Sequence, residues 1–295
     1  QDVDEALRVT GQVVAELLPD VGGRCYLLRA SQEDARAAGR GMRLHVVHDN
    51  QAARRLYERL AATNALSFAD YLLLLRSDPA ETATVINSFT VNETYFYREE
   101  HQLRCLSESL LPEITGTRGP GDRIRIWSQP CSTGEEAYSI ALWLLENWRM
   151  VDAYNIEIVG SDIDGDALAA AREGLYGDRA LSRLPQPVID AYFELVRRGK
   201  HRIIDDLRES VVFTAANLID RGSMKDQGVF DIIFCRNVLI YFDDDSRARA
   251  VNHLHDSLAP GGFICLGHTE SMSRISDRFA IRRFPDAIVY QRPPA

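Results

Sequence analysis

Residues 127–140 read Trp-Ser-Gln-Pro-Cys-Ser-Thr-Gly-Glu-Glu-Ala-Tyr-Ser-Ile, and this stretch is the most informative part of the sequence for the fold. It continues the apolar run Ile124–Ser128 and passes into an amphipathic stretch near Glu135, which predicts a strand that turns into a helix. In an open α/β sheet, nucleotide-like ligands bind at such a turn, beyond the carboxyl ends of the strands. The segment therefore predicts a cofactor site at one edge of a sheet.

The composition of this turn narrows the class of ligand. No Gly-x-Gly-x-x-Gly follows the strand, so the backbone nest that cradles a pyrophosphate is missing and a dinucleotide is disfavoured. Ser132–Glu136 offers one glycine and two acids instead, which suits a cationic ligand without phosphate, such as S-adenosylmethionine. The alternative is a capping box, with Ser132 or Thr133 capping the helix and a glutamate supporting its first turn. We expect this alternative to hold for one of the two glutamates.

Short apolar strands alternate with amphipathic helices from about Arg123 onward, which is typical of a parallel sheet with crossover helices. The last two predicted strands are joined by Pro285-Asp286 and form an antiparallel hairpin. A small β insertion is expected at about 192–211. The predicted strands of the main sheet are Ile124–Ser128, Ile156–Ser161, Val211–Thr214, Phe230–Phe234, Gly262–Leu266, Ile281–Phe284 and Ala287–Gln291.

Residues 1–90 show helical periodicity without a convincing strand pattern, which predicts a small all-helical N-terminal domain with its linker, followed by a second domain over 91–295. Ser77-Asp78-Pro79 is typical of a helix start. Between Gly23 and Leu60 there are eight arginines against four acids. This stretch could face an acidic protein partner, or it could be a solvated helix face.

Composition excludes several classes of protein. With 295 residues, 45% of them hydrophobic, the chain can bury a sizeable core. Its net charge of −9 argues against general binding to nucleic-acid backbones. No apolar run approaches the roughly 20 residues that cross a bilayer, and no signal-peptide pattern is present, so a cytoplasmic location is expected. The five cysteines are scattered without a Cys-x-x-Cys pair, which favours buried free thiols over disulfides or zinc.

Polar side chains follow several predicted strands. Asp162 closes the second strand, where a carboxylate can accept hydrogen bonds from both ribose hydroxyls, whereas Asp164 is expected to cap the next helix. Asn217 and Asn237 follow two further strands at the same edge. Either could bind an adenine edge or the amino acid part of a cofactor, and either could be a turn residue. Tyr241 could cover a reacting methyl group or simply pack.

Other candidate residues carry weaker signals. His253 and His255 match no metal pattern, and no metal site is expected. The pair His268 and Glu270 after the fifth strand could be catalytic, but a role in ordering the loop is expected. The run from Asn92 to Arg98 adds a cationic side chain from outside the sheet, as a lid would.

Taken together, these segments resemble the CheR family of chemotaxis protein-glutamate O-methyltransferases over roughly residues 50–291. The resemblance implies a class I S-adenosylmethionine-dependent methyltransferase domain, which is an α/β, Rossmann-like fold with a mostly parallel sheet and an antiparallel C-terminal strand. It also implies a small all-helical N-terminal domain and a small inserted β-subdomain. The matching segments are Asn92-Glu-Thr-Tyr-Phe-Tyr-Arg98, Trp127 to Ile140, Ser161-Asp-Ile-Asp164, Ala167 to Tyr176, Asn217-Leu218, Phe234 to Asp243, Leu258-Ala-Pro-Gly-Gly262 and Gly267-His-Thr-Glu270.

The resemblance also implies an activity and a site. Members of the family transfer a methyl group from S-adenosylmethionine to glutamate carboxylates of chemoreceptors, giving glutamyl methyl esters and S-adenosylhomocysteine, in chemotactic adaptation. Arg98 and Tyr241 match residues near the transferred methyl group and are the expected catalytic residues. The expected cofactor contacts are Asn92, Thr94, Arg98, Glu136, Asp162, Asn217, Leu218, Asn237 and Val238.

The implied partner is the cytoplasmic helical region of a chemoreceptor, bound by a monomer without direct membrane insertion. The loop between Phe193 and Ile203 is short, which favours an enzyme that does not use a receptor's C-terminal pentapeptide tether. One alternative is a degenerate member that binds the cofactor or its product as a regulatory signal. A nucleic-acid methyltransferase is disfavoured by the negative charge and by the absence of an Asn-Pro-Pro-Tyr or Asp-Pro-Pro-Tyr run.

Overall fold

The computed structural model describes residues 51–66, 68–272 and 275–294, and these divide into two compact units. The described helical residues up to Val91 and the segment Tyr241–Ser246 form the first unit. Asn92–Ile240 and the residues from Arg247 onward form the second unit. Most of the arginine-rich stretch between Gly23 and Leu60 lies outside the described residues, and the domain division at residue 90 stays a prediction.

In the described part of the chain before Val91, the first unit has the helices α1 Gln51–Thr63, α2 Phe68–Ser77 and α3 Pro79–Phe89. Helix α3 begins as its sequence predicts, because the Asp78 carboxylate accepts hydrogen bonds from N–H groups of the first turn and Pro79 occupies a position that needs no donor. Among its described residues, Tyr71, Leu75 and Val85 are buried together in one hydrophobic cluster.

The second unit is built on strands that alternate with helices. Its strands are β1 Arg123–Ser128, β2 Asn155–Asp162, β3 Leu175–Gly177, β4 Phe193–Arg197, β5 Lys200–Ile203, β6 Val211–Ala215, β7 Phe230–Cys235, β8 Leu258–Leu266, β9 Ala280–Arg283 and β10 Ile288–Gln291. The helices after α3 are α4 Glu100–Cys105, α5 Leu111–Thr115, α6 Glu135–Asn147, α7 Gly165–Glu173, α8 Asp178–Leu181, α9 Gln186–Tyr192, α10 Asp205–Glu209, α11 Arg221–Asp226 and α12 Asp244–Asp256, whose first three residues belong to the first unit. A π-helical turn, Leu106–Leu110, joins α4 to α5.

Seven of these strands form one sheet in the order β6-β2-β1-β7-β8-β10-β9. The pairs from β6 to β8 are parallel, and β10 pairs antiparallel with both β8 and β9. This arrangement confirms the class I methyltransferase fold with its antiparallel C-terminal strands. Strand β7 is buried at all six positions, as expected of a parallel strand that is covered on both faces.

A separate three-stranded sheet has the order β3-β5-β4. Strands β4 and β5 form the hairpin expected within 192–211, and Gly199 at their turn has a left-handed φ of 67°. The third strand lies upstream of the predicted insertion. Its three residues are too few to produce a recognisable alternation of apolar and polar side chains.

Close packing behind the cofactor edge imposes a requirement on one position of β2. A Cβ added to Gly160 would lie 2.7 Å from the ring of Phe213 on β6. Four cysteines, Cys105, Cys131, Cys235 and Cys265, are buried and free, as expected from their spacing. None of the helices in the described ranges is long and apolar enough to cross a membrane.

Candidate active site

The strand order brings four loops to one edge of the sheet. Strands β6, β2, β1 and β7 are neighbours and parallel, so their carboxyl ends and the loops that follow lie side by side. Six of the nine predicted cofactor contacts lie in these loops, at the end of β2 or in the first turn of α6: Glu136, Asp162, Asn217, Leu218, Asn237 and Val238. The other three, Asn92, Thr94 and Arg98, lie on the segment that enters the same unit.

The loop after β1 does not form the predicted capping box. The N-cap of α6 is Gly134, with a left-handed φ of 93°, and no side chain caps this end of the helix. A Cβ on Gly134 would lie 2.9 Å from Cβ of Ala171, so glycine is required by packing as well as by conformation. The Thr133 hydroxyl donates to the carboxylate of Glu135 at 2.6 Å instead. Glu135 is buried, which raises its pKa, and it interacts with Thr133 of its own loop.

Asp162 ends β2 with a carboxylate that organises the neighbouring loops. It accepts hydrogen bonds from the backbone N–H groups of Ser132 at 2.7 Å and Asp164 at 3.0 Å. The side chain is buried, and this burial raises the pKa of Asp162 against the opposing effect of the two backbone donors. Each carboxylate oxygen keeps further acceptor capacity, which ribose hydroxyls could use.

Asp164 caps α7, as its sequence context predicts, by accepting from the N–H groups of Asp166 and Ala167. Its other oxygen accepts from Nδ2 of Asn92 at 2.7 Å. The Oδ1 atom of Asn92 in turn accepts from the Ser132 hydroxyl at 2.8 Å. Asn92 therefore connects the entering segment to the loops after β1 and β2.

Glu136 lies one residue into α6 and is bound from two sides. Its Oε1 accepts from the Ser128 hydroxyl at 2.7 Å, and its Oε2 lies 2.8 Å from Nη1 of Arg236. Burial raises the pKa of Glu136 even though Arg236 and Ser128 favour the ionised form. Sequence analysis did not identify Arg236. The only signal for it is an arginine in the otherwise uncharged run between Phe234 and Ile240, directly after a buried strand.

Arg98 lies on the segment that approaches the site from outside the sheet. Its Nη1 donates to the backbone carbonyl of Glu93 at 2.9 Å, and its guanidinium lies 5.8 Å from the ring centre of Tyr95. Its backbone carbonyl accepts from Nη2 of Arg236 at 2.7 Å. Thr94 is half-buried on the same segment. The Arg98 side chain therefore bridges back to the start of the segment, and Arg236 holds the segment's C-terminal end by a hydrogen bond.

The loop after β6 contains Asn217 and Leu218. Oδ1 of Asn217 accepts from the N–H of Ile219 at 3.1 Å, so its side-chain oxygen forms the turn that is the alternative to a ligand contact. The amide nitrogen is the donor that this side chain could still offer a ligand. Leu218 buries its side chain and accepts at its backbone carbonyl from Nδ1 of His253 at 2.9 Å.

The loop after β7 is held by Glu270. Its carboxylate accepts four backbone N–H groups, those of Asn237 at 2.7 Å, Val238 at 3.0 Å, Leu239 at 2.8 Å and Gly267 at 2.8 Å. This is the loop-ordering role expected from the sequence. Asn237 and Val238, both half-buried in this loop, stay predicted cofactor contacts.

Tyr241 ends the short 3-10 turn Leu239–Tyr241 and is 39% exposed. It belongs to the segment that is grouped with the first unit, whereas the predicted cofactor contacts all belong to the second. Its role beside the transferred methyl group stays a prediction.

Backbone strain is concentrated in these loops. Among the described residues, the non-glycine positions with positive φ in the second unit are Tyr97, Glu99, Ser132 and Asn237. Left-handed conformations cost about 1–3 kcal/mol each and persist where the surroundings hold them, most often at functional sites. The strain therefore marks the same edge of the sheet as the predicted contacts.

Comparison with known families agrees with this geometry. The family model described as "CheR methyltransferase, SAM binding domain" matches residues 92–288, and that described as "CheR methyltransferase, all-alpha domain" matches residues 40–90. The chain belongs to the CheR methyltransferase family.

Two CheR-family relatives illustrate the likeness. Chemotaxis protein methyltransferase 2 of Vibrio cholerae is 47% identical over 242 residues, which cover 81% of this chain and 84% of the relative. Chemotaxis protein methyltransferase 2 of Pseudomonas aeruginosa is 36% identical over 75% of this chain and 78% of its own length. The solved N-methyltransferase NodS of Bradyrhizobium japonicum covers 70% of this chain and 92% of its own, with 14% identity and a TM-score of 0.37, too distant to add to the assignment.

The CheR domain uses S-adenosylmethionine, and the residues at this edge fit that cofactor. The carboxylates of Glu136 and Asp162 suit its cationic and hydroxyl groups, and a phosphate nest is not required. Two buried polar atoms beside the loops, Nε of Arg236 and Oε1 of Gln129, have no hydrogen-bond partner among the described residues. A polar ligand is therefore a better occupant of this edge than an apolar one.

Proposed function

We propose that the chain transfers a methyl group from S-adenosylmethionine to glutamate side-chain carboxylates of chemoreceptors, giving glutamyl methyl esters and S-adenosylhomocysteine. One observation carries the choice of a carboxylate as nucleophile. The acidic groups Glu136 and Asp162 border the cofactor edge and would repel an anionic substrate. Within the described chain, the guanidinium of Arg98 has a backbone carbonyl and an aromatic ring as partners but no carboxylate. It is therefore available to bind one.

The chemistry needs little proton transfer. A glutamate with an ordinary pKa of about 4.3 is already ionised at neutral pH, so no general base is required. S-adenosylmethionine supplies an electrophilic methyl group on a sulfonium. The substrate carboxylate oxygen forms a bond to carbon while the bond from carbon to sulfur breaks, and its electron pair stays on sulfur.

The protein contributes binding, alignment and exclusion of water. Glu136 and Asp162 are the proposed anchors for the amino acid and ribose parts of the cofactor. Arg98 orients the substrate carboxylate, and Tyr241 is proposed to orient the same reacting groups. Correct alignment of the reacting atoms supplies much of the rate enhancement in such displacements.

A labelled methyl-transfer assay tests this proposal. The full chain is incubated with methyl-labelled S-adenosylmethionine and the cytoplasmic fragment of a chemoreceptor, and the product is treated with alkali. We expect label on the receptor that alkali releases as methanol, because esters are base-labile. Label that resists alkali, or label on added nucleic acid, would favour another substrate class. Binding of S-adenosylhomocysteine without any transfer would indicate a regulatory cofactor sensor.

Substitution of Arg98 tests its role in the same assay. Arg98→Ala should lower turnover on the receptor by about 100-fold, since a misaligned carboxylate reacts slowly. Arg98→Lys should recover part of the loss. The control is Arg123→Ala, which removes an exposed arginine at the opposite end of β1. Near-normal turnover of Arg98→Ala would remove Arg98 from the mechanism.

The proposed partner is the acidic helical region of a chemoreceptor in the cytoplasm. We propose that this chain binds it as a monomer. The β4–β5 turn is short, with Arg198 and Gly199 between the two strands, so we propose that a C-terminal pentapeptide tether is not used. Calorimetry with such a peptide checks this. Tight binding would contradict it.

A further inference from the structure

Arg236 contacts two parts of the site, the first turn of α6 and the segment that carries Arg98. It is the first residue after β7, and its side chain is only 3% exposed. Nη1 lies 2.8 Å from the carboxylate of Glu136. Nη2 donates to the backbone carbonyl of Arg98 at 2.7 Å and lies 3.3 Å from the carboxylate of Glu99. One guanidinium therefore contacts both the proposed cofactor anchor and the loop that carries the proposed substrate arginine.

The carboxylate of Glu99 has further partners besides Arg236. It accepts from Nε2 of Gln102 at 2.8 Å and lies 2.9 Å from Nδ1 of His268. Burial alone would raise the pKa of Glu99, but Arg236 and His268 outweigh it and keep that pKa below its ordinary value. The backbone of Glu99 is left-handed, with a φ of 56°. A strained residue of this kind needs external contacts to keep its conformation.

The geometry suits arginine specifically. A guanidinium presents its donors in a rigid planar fork, so Arg236 can bind Glu136 with one nitrogen and the Arg98 loop with the other. A lysine at this position would supply one point charge on a flexible stem. It could neutralise Glu136, but it could not hold both partners in fixed positions.

We infer that Arg236 is a positioning residue that couples the cofactor anchor Glu136 to the loop carrying Arg98. It contacts neither the substrate nor the reacting atoms in this account. Its effect on turnover rests on the proposed function, whereas its effects on cofactor-product affinity and on loop order do not. Those two effects can therefore be tested without a receptor.

The experiment uses the full chain and three variants: Arg236→Gln, Arg236→Lys and Glu99→Gln. Affinity for S-adenosylhomocysteine is measured by calorimetry, and hydrogen exchange is measured in peptides that cover residues 92–99. Arg236→Gln should weaken binding by about 30-fold, because it leaves a buried carboxylate unpaired, and should speed exchange in the loop. Arg236→Lys should restore most of the affinity but leave the loop exchange fast. Glu99→Gln should keep the affinity within about twofold and still speed loop exchange.

The coupling itself is measured with a double-mutant cycle. The variant Glu136→Gln with Arg236→Gln should bind S-adenosylhomocysteine about as weakly as Glu136→Gln alone, because interacting partners give non-additive effects. On a receptor substrate, Glu99→Gln should lower kcat with little change in KM for the cofactor. This kinetic split is not expected if Glu99 serves only general stability.

Arg118→Gln is the matched control. Arg118 pairs with the buried carboxylate of Asp231 at the opposite end of β7. Its loss should lower the free energy of unfolding but leave both product affinity and loop exchange unchanged. Additive effects in the cycle, or an Arg236→Gln variant that behaves as Arg118→Gln does, would overturn the inference. If Arg236→Gln does not fold, Arg236→Lys and Glu99→Gln decide the matter by the same two measurements.

Discussion

The Oε2 atom of Glu270 lies 2.7 Å from the backbone nitrogen of Asn237, whose φ of 58° is left-handed. The same carboxylate accepts three further N–H groups, so it satisfies donors that the turn after β7 could not pair internally. A glutamine offers one acceptor oxygen in place of two and adds donors that face other donors. The carboxylate is therefore specific to this turn.

We expect Glu270→Gln to lower the free energy of unfolding by about 2 kcal/mol, since buried N–H groups would lose a charged acceptor. It should also weaken binding of S-adenosylhomocysteine, because Asn237 and Val238 would no longer be held. Urea unfolding and calorimetry measure the two effects. The control is Glu108→Gln, which changes an exposed glutamate. Unchanged stability and affinity would contradict a role for Glu270 in this loop.

Asp162→Asn tests the predicted ribose contact. We expect an affinity for S-adenosylhomocysteine lower by about 2 kcal/mol, because hydrogen bonds to a charged acceptor are stronger than those to an amide. Asp166→Asn, which alters an exposed acid in the next helix, should bind normally. An analogue without ribose hydroxyls should bind wild type and Asp162→Asn almost equally. If the variant discriminates between the two ligands as wild type does, Asp162 does not contact the ribose.

We expect the binding of S-adenosylhomocysteine to depend on pH because of Glu136. Burial raises its pKa, and a cationic ligand favours the ionised carboxylate. Affinity for S-adenosylhomocysteine should therefore be full above that raised pKa and should fall as pH decreases through it, beginning above the ordinary glutamate value of about 4.3. Calorimetry from neutral to mildly acidic pH measures this. The fall should be absent in Glu136→Gln, and an identical pH profile in the variant would assign the dependence to another group.

The raised pKa of Glu136 affects the stability of the fold in the opposite direction: acidification weakens ligand binding but favours folding. A carboxyl group whose pKa is raised in the folded state disfavours folding when it is ionised. The ligand-free protein should therefore recover this contribution as pH falls from above the folded pKa of Glu136 toward the unfolded value. The free energy of unfolding of wild type should therefore rise relative to that of Glu136→Gln as pH falls over that range, which urea unfolding at several pH values measures. A fall of this relative stability on acidification would contradict the raised pKa.

Gly160→Ala tests the packing behind the site. The new methyl group would lie 2.7 Å from Cε1 of Phe213, and overpacking of this kind costs about 1–3 kcal/mol. Gly165→Ala is the control, since a Cβ there has no neighbour within 4 Å. Urea unfolding should show a loss for the first variant and little change for the second. Equal stability of both would mean that Phe213 can move freely.

The sequence predicted the centre of the main sheet well because β1, β2, β7 and the second half of β8 are apolar runs that are mostly buried. The apolar pattern of β7 is continuous, and that of β1 ends shortly before its helix begins. The predicted capping box at Ser132 does not form, because two left-handed residues, Ser132 and Gly134, turn the chain before the helix begins. Spacing alone does not reveal such backbone conformations.

Arg236 was missed for a different reason. Its partners Glu136 and Glu99 lie 100 and 137 residues away, and only the folded sheet brings them together. No local periodicity or capping pattern marks a lone arginine after a strand. By contrast, Asp164 caps the helix that begins at the next residue, which is why its role could be predicted from a short segment. Glu270 binds Gly267 of its own loop, the local contact that a short segment can suggest, and its other three donors lie in the loop after β7.

The proposed nucleophile is a glutamate carboxylate of a chemoreceptor. Fragment-ion mass spectrometry of the receptor's cytoplasmic fragment, after incubation with the full chain and S-adenosylmethionine, locates the transferred methyl group. We predict the added mass of one methyl group on individual glutamate residues, and its loss after mild alkali. Methyl groups on lysine, arginine or the chain termini, or no added mass while S-adenosylhomocysteine still binds, would contradict this proposal.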